Sequence, residues 1–494
     1  MSMNHFRILS EKPAATIISA SMIERRMDAG CFQPTYLKNE SNLLNGRVPY
    51  ARLGSLYNKG NYGSLPDSVD YATEGVALIR GTDLQSMAID LSEAVRVPEY
   101  YYDQFKKAQV TPGDILMLVK GASIDRPDSV AMFPETDDKA IANGSVFIIR
   151  AKGKKINNKY LLAVMTSESF LLQKRRGSSN TGALYNDLDT IRSFIVPLPH
   201  PKIQQFISEK VALAEECRIE ASKHKSLLFK KISEYIDEPS SSDTSEIGYW
   251  ADESLTSERI DPMYYQPVYI SNVDYLTNRS DSHYLSDNRM CSLVTDGDHG
   301  NPVYSEKGPA YLRVTDFQGF NIQHKNMPHI NSEYAQKIGA RCYVKNGDVI
   351  VSIVGTIGLI TVINDRSEGA IASRGVARIV TSSSLNPFYL ASYLASTRGQ
   401  LQLKQLCVGT VQKGIYLDSL KRIQVPLLDK LIQDEIGNHL QKHISLIDIS
   451  SSLSEGAKSD VEALIEGKLD TDAILSGKLK APTWEDIEKE LEGI

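Results

Sequence analysis

Arg26-Met27-Asp28-Ala29-Gly30-Cys31-Phe32-Gln33-Pro34-Thr35-Tyr36 returns later in the chain as Arg259-Ile260-Asp261-Pro262-Met263-Tyr264-Tyr265-Gln266-Pro267-Val268-Tyr269. The two stretches share Arg-x-Asp, an aromatic residue, Gln-Pro and a closing tyrosine. Four more matches follow in the same order. Leu78-Ile79-Arg80-Gly81-Thr82-Asp83-Leu84-Gln85 returns as Tyr311-Leu312-Arg313-Val314-Thr315-Asp316-Phe317-Gln318. Gly113-Asp114-Ile115 with Gly121 returns as Gly347-Asp348-Val349 with Gly355, and Ala140-Ile141-Ala142 as Ala370-Ile371-Ala372. Val196-Pro197-Leu198, with Gln204 and Ile207, returns as Val425-Pro426-Leu427, with Gln433 and Ile436. The separations are 233, 233, 234, 230 and 229 residues. A single match of this kind is weak, but five that keep their order indicate two copies of one domain.

Each copy runs into a long helical pattern. Ile203, Ile207, Val211, Ala214, Ala221, Leu228, Ile232 and Tyr235 form the first apolar stripe; Ile432, Ile436, Leu440, Ile444, Ile447, Leu453, Val461 and Leu464 form the second. Each pattern predicts a helix of ~35 residues, roughly 50 Å long. Charged residues fill the intervening positions, so the stripes suit each other as partners. Within each copy, short β-branched runs such as 145–149 and 377–380 alternate with one helix near Tyr160–Leu172 or Phe388–Leu401. The expected fold is mixed α/β: two pseudo-symmetric α/β domains joined by two long antiparallel, coiled-coil-like helices. The expected boundaries are 1–200 for the first domain, 201–237 for the first long helix and 238–250 for a linker around Pro239-Ser240-Ser241-Ser242. The second domain follows at 251–429, the second long helix at 430–467 and an acidic tail at 468–494.

Composition bounds the possibilities. With 494 residues, 41% hydrophobic and 23% charged, the chain suits two to four globular domains and excludes a fibrous or disulfide-built protein. Its most apolar run, Val349–Ile363, is interrupted by Ser352, Gly355, Thr356, Gly358 and Thr361, and reads as a pair of strands rather than a membrane span. The five cysteines are scattered, with no C-x-x-C spacing, so a reducing cytoplasm is expected. A net charge of −6 argues against a wholesale coat of nucleic acid but leaves room for local basic faces.

Two similar domains on a two-helix frame present similar surfaces at a fixed separation, which suits double-stranded DNA carrying two half-sites. The candidate contact residues precede each long helix. In the first copy Lys174, Arg175, Arg176, Ser178, Asn180 and Thr181 read as a loop; in the second, Lys404, Thr410, Gln412 and Lys413 occupy the matching stretch. Lysine and arginine would neutralise phosphates, whereas arginine and asparagine can pair bidentately with base edges. An ordinary solvated loop is the bland alternative.

Catalytic motifs are imitated rather than present. Gly355-Thr356-Ile357-Gly358 lacks the Lys-Ser/Thr of a phosphate-binding loop, so a tight turn is expected. Asn386-Pro387-Phe388-Tyr389 resembles the N-P-P-Y loop of amino-methyltransferases but lacks its second proline, and a helix start explains it. Asp128, Asp137 and Lys139 fit a degenerate metal-dependent nuclease pattern without a counterpart in the second copy. The nine histidines form no triad or metal-ligand spacing.

The duplicated R-x-D-x-x-x-[FY]-x-P-x-Y openings, the Gly-Asp strands and the [VI]-P-L…Gln-x-x-Ile endings together resemble a type I restriction–modification DNA-specificity subunit over residues ~20–465. The resemblance implies two target-recognition domains, each reading half of a split sequence, with the helices as a ruler. It implies a non-catalytic chain with no catalytic residue, cofactor or metal of its own. Its partners would be double-stranded DNA, two N6-adenine methyltransferase subunits using S-adenosylmethionine, and a restriction subunit using Mg²⁺ and ATP, all away from membranes. A specificity subunit of another phage-defence methylation system is the close alternative. Gly121-Ala122-Ser123 in the first copy departs from the more family-like Gly355-Thr356-Ile357-Gly358 of the second.

Overall fold

A computed structural model describes residues 6–11, 14–19, 28–65, 68–89, 91, 94–178, 183–239, 259, 261–409 and 412–492. The chain divides into two compact units, 1–216 with 449–490 and 217–448 with 491–494. Most of the linker expected at 238–250 lies outside the described residues.

In the first unit, α1 (Pro34–Asn45) begins on a proline, whose fixed φ suits a first helical position. The main sheet orders its strands Val130–Met132, Ile115–Leu118, Val146–Ala151 and Tyr57–Tyr62, all antiparallel. Side chains alternate along a strand. Ile115, Met117, Phe147 and Ile149 therefore face one apolar core, while Leu116, Leu118, Val146 and Ile148 face another. Burial on both faces explains why these strands read as unbroken apolar runs rather than alternating ones. A smaller sheet pairs Val76–Ile79 in parallel with Ala140–Ala142, and so joins two of the duplicated motifs.

One helix was expected over Tyr160–Leu172; two are present, α2 (Asn158–Thr166) and α3 (Glu168–Gly177). The break falls at Ser167, whose backbone is extended (ψ 155°) and whose hydroxyl accepts from Phe170 N. That hydroxyl satisfies an otherwise orphaned amide at the start of the second helix, so the two-helix solution leaves little unpaired. α4 (Pro201–Ser233) follows, and its first half lies in this unit.

The helix Lys430–Ile465 sends its second half back into the first unit. There Lys210 Nζ lies 2.6 Å from Asp460 Oδ2, and Ser450 Oγ donates to Ala214 O at 2.7 Å. As residue number rises along one helix it falls along the other. Within the acidic tail, described to residue 492, Thr471–Leu475 and Trp484–Glu492 are helical, and Ile474, Ala481 and Ile487 are buried.

The second unit repeats this plan. α5 (Pro267–Thr277) also begins on proline. The main sheet runs Ile360–Val362, Val349–Ser352, Val376–Thr381 and Cys291–Asp296, again antiparallel. Tyr304–Leu312 pairs in parallel with Ile371–Ala372. The expected single helix is again two, α6 (Pro387–Ala395) and α7 (Thr397–Leu406), separated by Ser396 as cap. α8 (Lys430–Ile465) lies with its first half beside the second half of α4, through His443 Nδ1 to Ala221 O (2.8 Å), His224 Nδ1 to His439 Nδ1 (2.9 Å) and Lys231 to Glu435 (3.1 Å). Among the described residues no helix is long and apolar enough to cross a membrane.

The duplicated motifs hold equivalent joints. Arg80 and Asp83 close a turn through Nη2–Oδ1 at 2.8 Å; Arg313 and Asp316 do the same at 2.7 Å. Gly113 (φ 81°) and Gly347 (φ 83°) adopt the left-handed conformation that glycine tolerates. The aspartate after each then takes an arginine from the adjacent strand, Arg150 Nη2 at 2.7 Å on Asp114 and Arg378 Nε at 2.5 Å on Asp348. Tyr160 OH donates to Pro197 O at 3.1 Å, as Tyr389 OH does to Pro426 O at 2.6 Å. Gln204 Oε1 accepts from Asn157 N at 3.1 Å, and Gln433 Oε1 from Asn386 N at 2.9 Å. Asn386 caps Phe388 N and Tyr389 N at the start of α6, which gives the N-P-F-Y stretch its structural role.

Candidate nucleic-acid interface

Each unit presents a glycine turn bonded to the segment that leaves α3 or α7. In the first, Gly121 N donates to Leu184 O at 3.0 Å, and Lys120 bridges Tyr185 in antiparallel fashion. In the second, Gly355 N donates to Lys413 O at 3.0 Å, and Val354 bridges Gly414. Gly121, Gly355 and Gly358 have φ of 130°, 80° and 82°, so these turns need glycine.

The second unit closes a finger above its turn. Val408 N donates to Gly414 O at 2.8 Å, and Gly414 N returns a bond to Val408 O at 2.9 Å. This bond pair closes the finger at 408 and 414, and Gly409 has φ 94°. Gln412 and Lys413 are exposed on it, and Lys404 is exposed near the end of α7. Thr410 lies outside the described residues. Thr356 on the turn and Tyr416 beyond the finger, the latter 70% exposed, add polar and aromatic surface.

Arg259 anchors the base of this finger. Its Nη2 donates to Cys407 O at 3.1 Å and pairs with Asp261 Oδ2 at 2.6 Å, while its guanidinium lies 4.5 Å from the Tyr264 ring centroid. A cation at the C-terminal carbonyls of a helix satisfies groups that lack an intrahelical partner. The arginine of the duplicated opening thus positions the finger.

The first unit corrects the reading of its basic run. Lys174, Arg175 and Arg176 are not in a loop; they form the last turns of α3. Lys174 is fully buried, its Nζ 2.7 Å from Ser129 Oγ, which in turn donates to Ile124 O at 2.9 Å. Burial lowers its pKa to about 7, against the opposing pull of Asp125 and Asp128. It cannot reach a phosphate.

The neighbouring cations are committed as well. Arg176 pairs with Glu40 at 2.9 Å and donates through Nε to Cys31 O at 2.9 Å. Arg175 is 63% exposed but faces Asp125 at 3.4 Å. Ser178 is buried and closes the helix, its Oγ donating to Arg175 O at 2.7 Å. Asn180 and Thr181 lie outside the described residues. The basic run therefore ties α3 to the segment 124–129 and to α1.

The seventh residue of α7, Leu403, is fully buried at the place Lys174 takes in α3, and Lys404 is exposed like Arg175. Lys120, Tyr185, Thr356 and Tyr416, on or beside these turns, are not among the contact residues expected from the sequence. The available signal was the duplicated glycine, because whatever pairs beside a tight turn shares its surface.

The nuclease residues do not assemble as a metal centre. Lys139 Nζ pairs with Glu99 at 3.0 Å, while Asp128 and Asp137 are exposed. Among the described residues, no group of three or more His, Cys, Asp or Glu side chains could hold a metal ion.

Residues 303–458 match the family model of the type I restriction modification DNA specificity domain. This stretch holds the second unit's glycine turn, finger and most of α8. That stretch of the chain is thus similar to the type I restriction modification DNA specificity domain. The first copy shares its motifs and its sheet order with that stretch. No curated protein matches the chain.

Among solved structures, the chain is similar to the S subunit of a type I restriction-modification system from M. genitalium, with 11% identity, 86% of this chain and 97% of that chain covered, and a TM-score of 0.41. It is also similar to the HsdS subunit from Thermoanaerobacter tengcongensis, with 16% identity, coverage of 86% and 98%, and a TM-score of 0.28. A third similar chain comes from a study of complex assembly and conformational transition in the type I R-M system, with 16% identity, coverage of 86% and 100%, and a TM-score of 0.30.

Proposed function

We propose that this chain is the DNA-specificity subunit of a type I restriction–modification complex. One observation carries the reading: both units display a glycine turn bonded to the segment after a matched helix pair, yet the side chains there differ. A duplicated scaffold with divergent surface residues suits recognition of two different half-sites. Each unit would read one half through base edges, while lysines hold the phosphates. α4 and α8, running in opposite directions, would set the gap between halves.

Catalysis would belong to partners. N6-adenine methyltransferase subunits, expected as two, would dock on the helical frame and use S-adenosylmethionine on a flipped adenine. A restriction subunit would bring Mg²⁺ and ATP. The match of 303–458 to a DNA specificity domain supports an addressing role.

The test is to express the chain with its neighbouring methyltransferase gene and map N6-methyladenine across the host genome. The expected result is a split motif with two specified halves and a fixed gap. Exchange of the 404–413 stretch for that of another specificity domain should change one half and leave the other intact. A stable complex that methylates nothing, or a single undivided motif, would overturn the reading.

A further inference from the structure

We propose that Lys120 and Tyr185 form a base-reading pair that gives the first unit part of its sequence preference. The inference rests on the DNA-specificity reading and adds residues to it. The two residues face each other across the antiparallel bridge beside the Gly121 turn. Directly opposed residues on such a bridge project to the same face, with Cβ atoms roughly 5 Å apart.

Tyr185 has one supported ring face. It stacks on Tyr62, with centroids 6.2 Å apart and an interplanar angle of 24°. Tyr62 is itself held edge-on against buried Phe147 at 5.1 Å, and its hydroxyl donates to Asn186 O at 3.2 Å. The exposed part of Tyr185, 37% of the residue, thus belongs to a ring braced from below by the core. Rigid aromatic surface of this kind contacts base edges and thymine methyls at small entropic cost.

Lys120 supplies the polar half. It is exposed, and among the described residues no ion pair involves it. The cations expected to meet DNA here, Lys174 and Arg176, are spent inside the unit, and Arg175 faces Asp125. Lys120 is therefore the cation next to the braced ring. A lysine so placed donates to guanine O6 and N7 in the major groove.

The second unit offers a contrast. Its bridge at the same place joins Val354 to Gly414, with neither cation nor ring. The pair can therefore act on one half-site only, and the other half serves as an internal control.

The experiment uses the full chain co-expressed with its methyltransferase partner and reads methylated motifs position by position. Lys120→Ala is expected to relax discrimination at one position of one half by about 5- to 100-fold, a range that follows from the value of a good base contact. Tyr185→Leu should weaken preference at the same or the adjacent position. Tyr185→Phe, which keeps the ring, should retain it.

An unchanged motif in both single variants, with the wild type still selecting a split site, would overturn this proposal and leave the specificity reading standing. A uniform loss over all sequences with no positional change would make Lys120 a phosphate contact and also overturn it. A wild-type complex that selects no sequence would remove both. Circular dichroism and recovery of the complex check folding, and intact reading of the second half reports a native chain within the same measurement.

Discussion

Replacing Lys174 by methionine should stabilise the first unit and flatten its pH dependence. The ammonium is fully buried, with Ser129 Oγ at 2.7 Å. Its pKa falls from 10.5 to about 7. At 1.36 kcal/mol per pH unit, that difference makes carrying this lysine cost about 4 kcal/mol at neutral pH.

The sign follows from proton binding. The folded value lies below the unfolded one, so between pH 7 and 10.5 the folded chain holds fewer protons than the unfolded chain. Stability must therefore climb with pH through that window, by about 2–3 kcal/mol between pH 7 and 9. Methionine removes the charge at similar volume. It forfeits one hydrogen bond, worth about 1 kcal/mol, so a net gain of about 2–3 kcal/mol is expected at pH 7.

Hydrogen exchange of the amides of α2 and α3, corrected for intrinsic rates, reads this unit separately. Protection in the wild type should rise from pH 7 to 9, and in Lys174→Met it should be high and flat. A variant less stable at pH 7, or two proteins with the same pH slope, would show that burying this lysine carries no such cost.

The two Asp–Arg joints should differ in sensitivity. Both partners of Arg378–Asp348 are buried, with side chains 7% and 4% exposed, so Asp348→Ala should cost about 3–5 kcal/mol in urea melts. Asp114→Ala should cost less, because Arg150 is 42% exposed and can turn to water. Acid should weaken the second unit through its histidines. His224 and His439 share one hydrogen bond, with Glu220 and Lys223 on one helix and Glu435 and Lys442 on the other; burial is the first cause holding both below the ordinary 6.5. Folded values below unfolded ones mean stability is lost as pH falls through 6.5, and protection along α8 between 436 and 447 should drop from pH 7 to 5, less so in His439→Gln. Lys404→Ala and Lys413→Ala should each lower the slope of log affinity against log salt by about 0.9 if each meets a phosphate in duplex DNA. An unchanged slope in both would place those lysines off the DNA.

Much of the fold could be read locally. Amphipathic stripes identify α4 and α8 because each apolar residue lies on the face that its own spacing dictates. Strand pairs such as Val349–Ser352 with Ile360–Val362 follow from β-branched residues on either side of a glycine turn. The duplication was legible because its motifs are local joints: a turn closed by Arg80 and Asp83, or a helix start capped by Asn386, needs only a few neighbouring residues. The location of the finger was legible for the same reason, as a glycine-bearing stretch between a helix and the Val-Pro-Leu segment.

Solvent exposure was not local. A Lys-Arg-Arg run in isolation has every reason to stay hydrated, since burying a charge is costly. Lys174 is buried where Ser129 meets its ammonium and Asn186 its main-chain carbonyl, and those residues lie 45 and 12 positions away. Tyr62 and Tyr185 become one braced surface only when strand 57–62 and the segment after α3 meet. The repeat and most of the secondary-structure elements follow from the sequence alone, because each is set by neighbouring residues. Tertiary structure alone decided which side chains meet solvent, because burial depends on what packs from elsewhere in the chain.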